Sequence, residues 1–417
     1  MLKKFQQAEN YIESLGNIRN VNFHQGTSNP KHHFKRARLL LKLAGNPDKK
    51  LKIIHVAGTS GKGSTVNHLS DILQKSNFKV GAHFSPFVSV STEKIQINNK
   101  FISAKEFLDL VEEIKPIIEK CHKQFDLPSY FEVWLLLALK YFQKKKVDYV
   151  LLETGCGGRY DGTNAVDQTE LSIITNIGLD HTHILGNSLG KIAYEKAGII
   201  RQNGTVFSAV RKPVVQQIIK KEAQKLKADL HLVKSKNNPN QTLVSAVAQY
   251  LDINENQIKK GLKHPSPLPA RMEILQKKPL IIMDGAHNPD KLGYLAKKIS
   301  DLFAKSRRLH IVCALGDHKN PKKCFEKFSR FNPTFYCTRS LNNFRKFIDP
   351  LILAKKITSK TKPKTFLDPY KALDTAMKNA KPDNLILITG SFFLCSDLRK
   401  KWISPEKQLE QKTNFPK

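Results

Sequence analysis

The sequence predicts an α/β fold in two parts, each built on a mostly parallel β-sheet. Short apolar runs of strand length alternate with stretches of helical periodicity in both halves of the chain. The 417 residues are enough for two separate cores. Prolines 265, 267 and 269 would make a stiff, extended connection between them. We therefore predict one domain over 1–263, a linker over 264–270 and a second domain over 271–417.

A glycine-rich loop follows the first predicted strand, residues 53–56, and precedes a helical pattern that ends near Ser76. Backbone N–H groups of a glycine turn and of a helix N-terminus bind phosphate. Lys62 would add a positive charge and Ser64 a hydroxyl for Mg²⁺. An ordinary strand-to-helix turn would leave three glycines around one lysine unexplained, so the pattern predicts a P-loop, a nucleotide-phosphate site. The predicted nucleotide-binding residues of this loop are Gly58, Thr59, Ser60, Gly61, Lys62, Gly63 and Ser64.

The composition is strongly basic, with 70 Lys and Arg against 36 Asp and Glu and a formal charge of +34. These charges are spread along the whole chain without an aromatic-rich basic stripe, which argues against nucleic acid as the partner and favours small anions such as ATP. Six scattered cysteines without a C-x-x-C pair argue against a zinc site or a disulfide framework. No apolar run approaches the roughly 20 residues that cross a bilayer, and the first residues lack a signal-peptide core, so we expect a cytoplasmic protein with no membrane partner.

The stretch AGTSGKGS closely resembles the phosphate loop of the Mur ligase superfamily, in the form found in its folate branch, folylpolyglutamate synthase and dihydrofolate synthase. Wall-building members usually carry threonine or serine directly after the lysine, where this chain has Gly63. Residues 153–164, 178–183, 195–199 and 284–289 also resemble family motifs. The resemblance implies a P-loop ATPase domain with a central mostly parallel sheet, followed by a smaller Rossmann-like C-terminal α/β domain, in a protein that is a monomer like most relatives.

Three candidate metal ligands each follow a predicted strand: Ser85, Glu153 and His181. Ligands bind at the carboxyl ends of strands in open α/β sheets, although a serine before proline is by itself a plain turn residue and a lone histidine is more often structural. The resemblance implies that all three hold Mg²⁺ together with Ser64. It also implies that Lys196, in the EKAGI motif, carries a carbamate that ligates the metal. Without the resemblance, Lys196 would be interpreted as a solvated surface lysine.

The acceptor side is predicted from the glycine-rich loop at 155–164, whose backbone can approach a ligand closely. This loop resembles the family segment EVGLGGRLDATN, which implies that Tyr160, Asp161 and Gly162 lie by the pterin. Ser129 holds the place of a pterin-contacting threonine. The helix predicted from Ser129 carries an apolar stripe that we interpret as core: Phe131, Trp134, Leu135, Ala138 and Phe142.

The second half restarts an alternation of strands and helices, with strands predicted over 280–283, 309–315, 334–337 and 385–389. The resemblance implies that Arg271 and Asp284 contact ATP and that His287 lies near the γ-phosphate. Asn240, in the first domain, matches a family asparagine that contacts adenine. The polar tail after about Pro405 is predicted to be loose.

These features together predict an ATP-dependent amide ligase with ATP and Mg²⁺ as cofactors, in which Lys62, Lys196 and His287 are catalytic. The resemblance implies that L-glutamate is joined to dihydropteroate, to a reduced folate or to both, through an acyl phosphate. The chain departs from the folate branch at Phe87 and Gln96, where relatives have histidine and arginine. Two alternatives therefore stay open: a Mur-type ligase with another carboxylate acceptor, and a non-catalytic nucleotide-dependent RNA-binding protein.

Overall fold

The computed structural model describes residues 2–15, 29–235, 238–302, 308–342 and 346–417. The chain forms two compact units: the first comprises Met1–Phe87 and Ser91–Ser266, and the second comprises Val88–Val90 and Pro267–Lys417. In the described ranges, no helix combines the length and the hydropathy that a membrane crossing requires.

The first unit is organised around a sheet in the order β4-β3-β2-β5-β1-β6-β7-β8. Its strands run parallel from β2 to β8, and β3 and β4 add an antiparallel edge. The central strands β1, β2, β5 and β6 are buried at every position, as is typical of parallel strands covered on both faces. The strands are β1 (Ile53–Ala57), β2 (Val80–His83), β3 (Ile95–Ile97), β4 (Lys100–Phe101), β5 (Tyr149–Glu153), β6 (Leu171–Ile174), β7 (Thr205–Ser208) and β8 (Asp229–Leu232).

The apolar stripe predicted for α5 (Tyr130–Lys144) is buried, with one exception. Trp134, Leu135 and Phe142 of α5 are buried, but Phe131 of the same predicted core stripe is 50% exposed. The core interpretation was therefore wrong at Phe131, which lies on the first turn of its helix. The helices are α1 (Leu2–Ser14), α2 (Pro30–Leu43), α3 (Lys62–Lys75), α4 (Ala104–Gln124), α5 (Tyr130–Lys144), α6 (Thr182–Leu185), α7 (Leu189–Ala197), α8 (Pro213–Lys225), α9 (Pro239–Tyr250) and α10 (Glu255–Lys263).

The second unit contains a sheet in the order β13-β12-β11-β14-β10-β9, parallel except for the pairing of β9 with β10. Helices alternate with the strands, so the predicted α/β class with two mostly parallel sheets is confirmed. The strands are β9 (Glu273–Lys277), β10 (Leu280–Asp284), β11 (Leu309–Cys313), β12 (Thr334–Cys337), β13 (Lys364–Thr365) and β14 (Leu385–Thr389). The helices are α11 (Pro289–Leu302), α12 (Pro321–Phe325), α13 (Pro350–Lys356), α14 (Pro369–Asn379), α15 (Phe392–Arg399) and α16 (Pro405–Gln411).

The C-terminal tail is ordered, so the prediction of a loose tail was wrong. Residues Pro405–Gln411 form α16, and Gln408 is fully buried. The cause is the buried guanidinium of Arg399, which needs several acceptors: it pairs with Glu273 and donates from Nη2 to the carbonyl of Asn414 at 2.6 Å. A polar tail thus satisfies a buried charge that sequence periodicity does not reveal.

Candidate active site

Strand register brings the predicted nucleotide and metal residues of the first unit to one edge of its sheet. Val56 of β1 pairs with Glu153 of β5, and His83 of β2 pairs with Leu152 of β5, so these parallel strands end side by side. The P-loop, Ser85 and Glu153 therefore meet at the carboxyl edge, where ligands bind in open α/β sheets.

The P-loop owes its shape to two glycines with positive φ, where a side chain would be strained. Gly58 has φ +154°, and a Cβ there would lie 1.9 Å from Oγ1 of Thr175. Gly61 caps α3 with φ +88°, and a Cβ there would lie 2.6 Å from Nδ2 of Asn240. The amide of Thr59 donates to the carbonyl of Asn176 at 2.7 Å and fixes the loop against the chain beyond β6. Asn240, predicted to contact adenine, thus lies directly against the phosphate loop.

Two lysines converge on the carbonyl of Gly58. Nζ of Lys62 donates to it at 3.1 Å and Nζ of Lys196, from α7, at 3.0 Å. Lys196 is only 5% exposed, so its interpretation from sequence alone as a surface lysine was wrong. Burial, together with the charge of Lys62, lowers the pKa of Lys196 to about 8. The resemblance, rather than the residue pattern, pointed to this position.

The carboxylate of Glu153 lies beside the loop. Its Oε1 is 4.0 Å from Nζ of Lys62, its Oε2 accepts from the amide of Ser85 at 3.3 Å, and a Cβ on Gly63 would lie 3.5 Å from Oε2. A side chain at position 63 would therefore begin in van der Waals contact with this buried carboxylate.

The donor set at this edge suits Mg²⁺. Carboxylate and hydroxyl oxygens are its preferred ligands, and the chain offers Glu153 and the Ser85 side chain next to the loop. The hydroxyls of Ser60 and Thr65 are buried without a hydrogen-bond partner in the part of the chain that the structure describes, as expected beside a polar ligand. Across the same described residues, no group of three or more His, Cys, Asp or Glu side chains forms a metal cluster.

His181 and Asp180 follow β6 at the same edge. His181 caps the short helix α6 in a left-handed conformation with φ 48°, and its amide donates to Oδ1 of Asp180 at 3.1 Å.

The predicted pterin residues lie around the loop at 161–165. Asp161 accepts at Oδ1 from the amide (3.0 Å) and the hydroxyl (2.5 Å) of Thr163, and at Oδ2 from the amide of Cys156 (2.7 Å). The hydroxyl of Thr163 in turn contacts Nε2 of His55, which burial keeps neutral by lowering its pKa well below the usual value. Asp161 thus shapes the loop that carries Tyr160 and Gly162.

Gly162 and Ser129 are joined through a residue that the sequence analysis missed. Glu132 accepts at Oε2 from the amide of Ser129 at 2.9 Å, and its Cγ would lie 3.6 Å from a Cβ on Gly162. Arg36 of α2 pairs with Glu132 in a bidentate manner at 2.8 and 3.0 Å and with Asp126 at 2.6 Å. Arg36 is fully buried. It lies on the same helical face as Ala37 and Leu40, and a cation on an apolar face was the available signal for a buried ion pair.

The predicted residues of the second unit gather at the end of β10. Asp284 accepts from the amides of Met272 at 3.0 Å and Ala286 at 2.9 Å, and burial raises its pKa while the nearby Arg271 opposes that rise. The guanidinium of Arg271 lies 4.3 Å from the ring centroid of Phe392.

His287 belongs to the same group of the second unit. Its Nδ1 donates to the carbonyl of Gly285 at 2.7 Å, which leaves Nε2 as the acceptor for Nζ of Lys291 at 3.1 Å. Its ring also lies 5.7 Å from the ring of Phe392. Arg271, Asp284 and His287 are therefore brought together within this unit, Arg271 and His287 through their common neighbour Phe392.

Comparison with known proteins agrees with this geometry. Residues 56–271 match the Mur ligase middle domain, and residues 270–392 match the Mur ligase glutamate ligase domain. Over 414 residues the chain is 32% identical to the dihydrofolate synthase/folylpolyglutamate synthase of Bacillus subtilis, covering 88% of this chain and 94% of that relative. The chain belongs to this family of Mur ligases. The resemblance inferred from sequence motifs is thereby confirmed.

Solved structures of this Mur ligase family have the same fold. A structure of E. coli FolC in complex with DHPP and ADP superposes with a TM-score of 0.82 at 26% identity, covering 94% of this chain and 97% of that chain. A bifunctional folylpolyglutamate synthase/dihydrofolate synthase with Mn, AMPPNP and L-glutamate bound has a TM-score of 0.79 at 28% identity, covering 88% and 93% of the two chains.

Proposed function

We propose that this chain is an ATP-dependent amide ligase that joins L-glutamate to dihydropteroate, to a reduced folate or to both. The observation that carries the proposal is the convergence of Lys62 and Lys196 on the Gly58 carbonyl beside Glu153. A phosphate loop with a carboxylate in front of its lysine is what phosphoryl transfer requires. The identities of the acceptor and of the amino acid in this proposal are inferred from similarity to the relatives named above.

The reaction that we propose has two steps. An oxygen of the acceptor carboxylate forms a bond to the γ-phosphorus of ATP and ADP leaves, which gives an acyl phosphate. The amine of glutamate then attacks the acyl carbon, phosphate leaves with the C–O electron pair, and the amide nitrogen loses a proton. In this scheme, Lys62 and the loop amides hold the phosphates, and Asn240 contacts adenine. In the second unit, Arg271 and Asp284 contact ATP and His287 lies near the γ-phosphate.

Metal binding is part of the proposal. Ser64, Ser85, Glu153, His181 and a carbamate on Lys196 would hold Mg²⁺, which supplies positive charge against the phosphates. The carbamate forms when the neutral amine of Lys196 bonds to the carbon of CO₂ and releases a proton. A pKa of about 8 leaves more neutral amine at neutral pH than an ordinary lysine has.

The acceptor is proposed to contact Ser129, Tyr160, Asp161 and Gly162. We propose in addition that the functional domains are 1–263 and 271–417 with a linker at 264–270, and that the protein acts as a cytoplasmic monomer. These assignments rest on the motif positions and on the family.

A ligase of the same family with another carboxylate acceptor is the second candidate, because the chain departs from the folate branch at Phe87 and Gln96. Gln96 is 6% exposed and donates from Nε2 to the carbonyl of Glu93 at 2.8 Å. It therefore stabilises its own segment, and an arginine there would make different contacts.

Phosphate release tests both candidates. The protein is incubated with ATP, Mg²⁺ and L-glutamate, with dihydropteroate in one series and tetrahydrofolate in the other. Turnover with either acceptor supports the folate function and identifies which reaction occurs. Absence of turnover with both, while ADP still binds, contradicts the folate function and favours another acceptor.

A further inference from the structure

A buried lysine lies among four aromatic rings near the start of α5. The side chain of Lys94 is 2% exposed. Its Nζ lies 5.0 Å from the ring centroid of Tyr130, 5.4 Å from Trp134, 5.7 Å from Phe87 and 5.9 Å from Phe131. All four distances are within the range of cation–π attraction. We refer to Lys94 and these four rings as the Lys94 cage.

Lys94 makes no hydrogen bond or close ion pair from Nζ within the described residues, although a buried ammonium is costly without partners. The carboxylates of Glu153 and Glu93 attract its charge from a longer distance and oppose the effect of burial, which lowers the pKa of Lys94 to about 8. The ring faces are therefore the groups in direct contact with the cation. In the cation–π pair of Lys145 over Tyr141, in contrast, the lysine side chain is partly exposed and is ion-paired with Glu106.

The backbone of Lys94 is held rigidly. Its carbonyl accepts from the amide of Phe84 at 3.1 Å, and the next residue, Ile95, pairs with His83 of β2. The ammonium thus projects from a fixed point of the sheet, and the rings must arrange themselves around it.

The rings of the Lys94 cage differ in exposure: Trp134 is buried, whereas Phe131 is half exposed. Trp134 is 1% exposed and stacks on Phe107 through its ring, with centroids 5.4 Å apart and planes at 16°. Phe131, in contrast, is 50% exposed, and it lies two residues from Ser129, the cap of α5 that we propose to contact the acceptor. A half-exposed phenylalanine side chain can adopt several rotamers unless a contact with another residue of the protein restrains its ring.

We propose that Lys94 is a positioning residue for acceptor binding: its ammonium fixes the rings of Phe131 and Phe87, so that they present flat faces to an aromatic acceptor. This inference rests on the proposed function and deepens it, because it names a residue outside the proposed acceptor contacts that would set acceptor affinity. The charge of Lys94 acts through the rings and need not touch the acceptor.

Steady-state kinetics of matched variants test this role. Lys94→Met keeps the side-chain length and removes the charge, whereas Lys94→Arg keeps the charge. We expect Lys94→Met to raise the KM for the aromatic acceptor about tenfold, equivalent to about 1.4 kcal/mol, with kcat and the KM values for ATP and glutamate within about twofold of the wild type. Lys94→Arg should restore acceptor KM to within about threefold of the wild type. Lys145→Met, which removes the partly exposed cation–π pair of the same helix, should leave every parameter unchanged.

A double-mutant cycle separates positioning from a general structural role. Phe131→Leu removes the exposed ring and should also raise acceptor KM. Combined with Lys94→Met it should add little, because both changes remove the same contact. If Lys94→Met fails to fold, the Phe131→Leu and Lys94→Arg variants still decide the matter. An unchanged acceptor KM in Phe131→Leu, or equal changes in all three KM values in Lys94→Met, would overturn the inference. Failure of the proposed function itself would appear differently, as a wild-type protein without turnover.

Discussion

The first unit has a nucleotide side, formed by the P-loop and Glu153, and an acceptor side, formed by Ser129 and residues 160–162. The two sides are stabilised by different kinds of contact. The nucleotide side depends on backbone packed too closely for a side chain, as at Gly58 and Gly61, where a Cβ would meet a neighbouring side chain at 1.9 and 2.6 Å. The acceptor side depends on buried charges and rings, with Arg36 and Glu132 paired beneath Ser129 and Lys94 enclosed by aromatic faces. Close backbone packing fixes the residue type, whereas a charge network can be rebuilt with other partners.

This difference has a functional meaning. A loop that holds phosphate with its backbone tolerates few side chains at the glycines that shape it. A pocket defined by side-chain networks can change its ligand by changing single residues. The two sides should therefore respond to mutation in separable ways: the nucleotide side through kcat, and the acceptor side through acceptor KM.

The largest effect is expected on the nucleotide side. Lys62→Met removes the charge beside Glu153 that we propose to hold the phosphates of ATP, and we expect kcat to fall about 10³-fold. Acceptor binding, measured by quenching of tryptophan fluorescence without ATP, should be unchanged. A loss of acceptor affinity as large as the loss of kcat would show that the two sides are not separable.

On the acceptor side, Arg36→Met leaves Glu132 as an unpaired buried carboxylate. We expect the free energy of unfolding to fall by about 3 kcal/mol. The acceptor KM should rise, because Glu132 no longer holds the Ser129 turn. The KM for ATP should stay unchanged. Urea unfolding and initial rates measure the two effects. Lys35→Met is the matched control on the same helix: this side chain is exposed, so the change should alter the free energy of unfolding by about 0.5 kcal/mol or less. Equal losses in the two variants would contradict the assignment of Arg36.

Lys196→Arg tests whether the nucleotide side depends on a carbamate at Lys196. Arginine keeps the positive charge but does not form the carbamate, so we expect turnover to fall about 10²-fold while ADP binding persists. Lys191→Arg, an exposed change on the same helix α7, serves as the control. Wild-type activity in Lys196→Arg would contradict a carbamate at this position.

The smallest effect concerns Glu9 of α1, whose carboxylate accepts from the hydroxyl of Ser91. Burial raises the pKa of Glu9 from its usual 4.5 to about 7, against the opposing effect of that hydrogen bond. Between these two pH values the folded protein binds more protons than the unfolded chain, so stability should fall as pH rises from about 4.5 to about 7 and then level off.

Glu9→Gln should remove roughly 1–3 kcal/mol of this pH dependence. Urea unfolding between pH 5 and 8 measures it, with the exposed Glu119→Gln on α4 as the control. An unchanged slope in Glu9→Gln would show that another group carries the pH dependence.

Much of the nucleotide side could be predicted from sequence, because its signals are local. The P-loop, Ser85 and Glu153 each stand next to an apolar run, and strand order then brings them together. Lys196 could be predicted only through family resemblance, since nothing in its own helix indicates that it is buried against Gly58.

The contacts that support the acceptor side were not predicted, because they join residues that are distant in sequence. Arg36 and Glu132 are 96 residues apart, and the partners of Lys94 lie on another element. The same physics explains the error at the C-terminal tail, where a distant buried Arg399 requires the Asn414 carbonyl. Periodicity reports which face is buried, but it does not report which distant charge must be satisfied.

The three residues Val88–Val90 belong to the second unit although the residues on both sides belong to the first. The chain therefore passes between the units at three peptide junctions, not one. Nη1 of Arg399 donates to Oγ of Ser89 at 2.8 Å. This three-residue segment therefore provides a hydrogen-bond acceptor for a buried charge of the second unit. A gene fragment that encodes only Pro267–Lys417 would omit that partner. A second unit produced alone from Pro267 onward would therefore carry the buried guanidinium of Arg399 with one hydrogen-bond acceptor fewer.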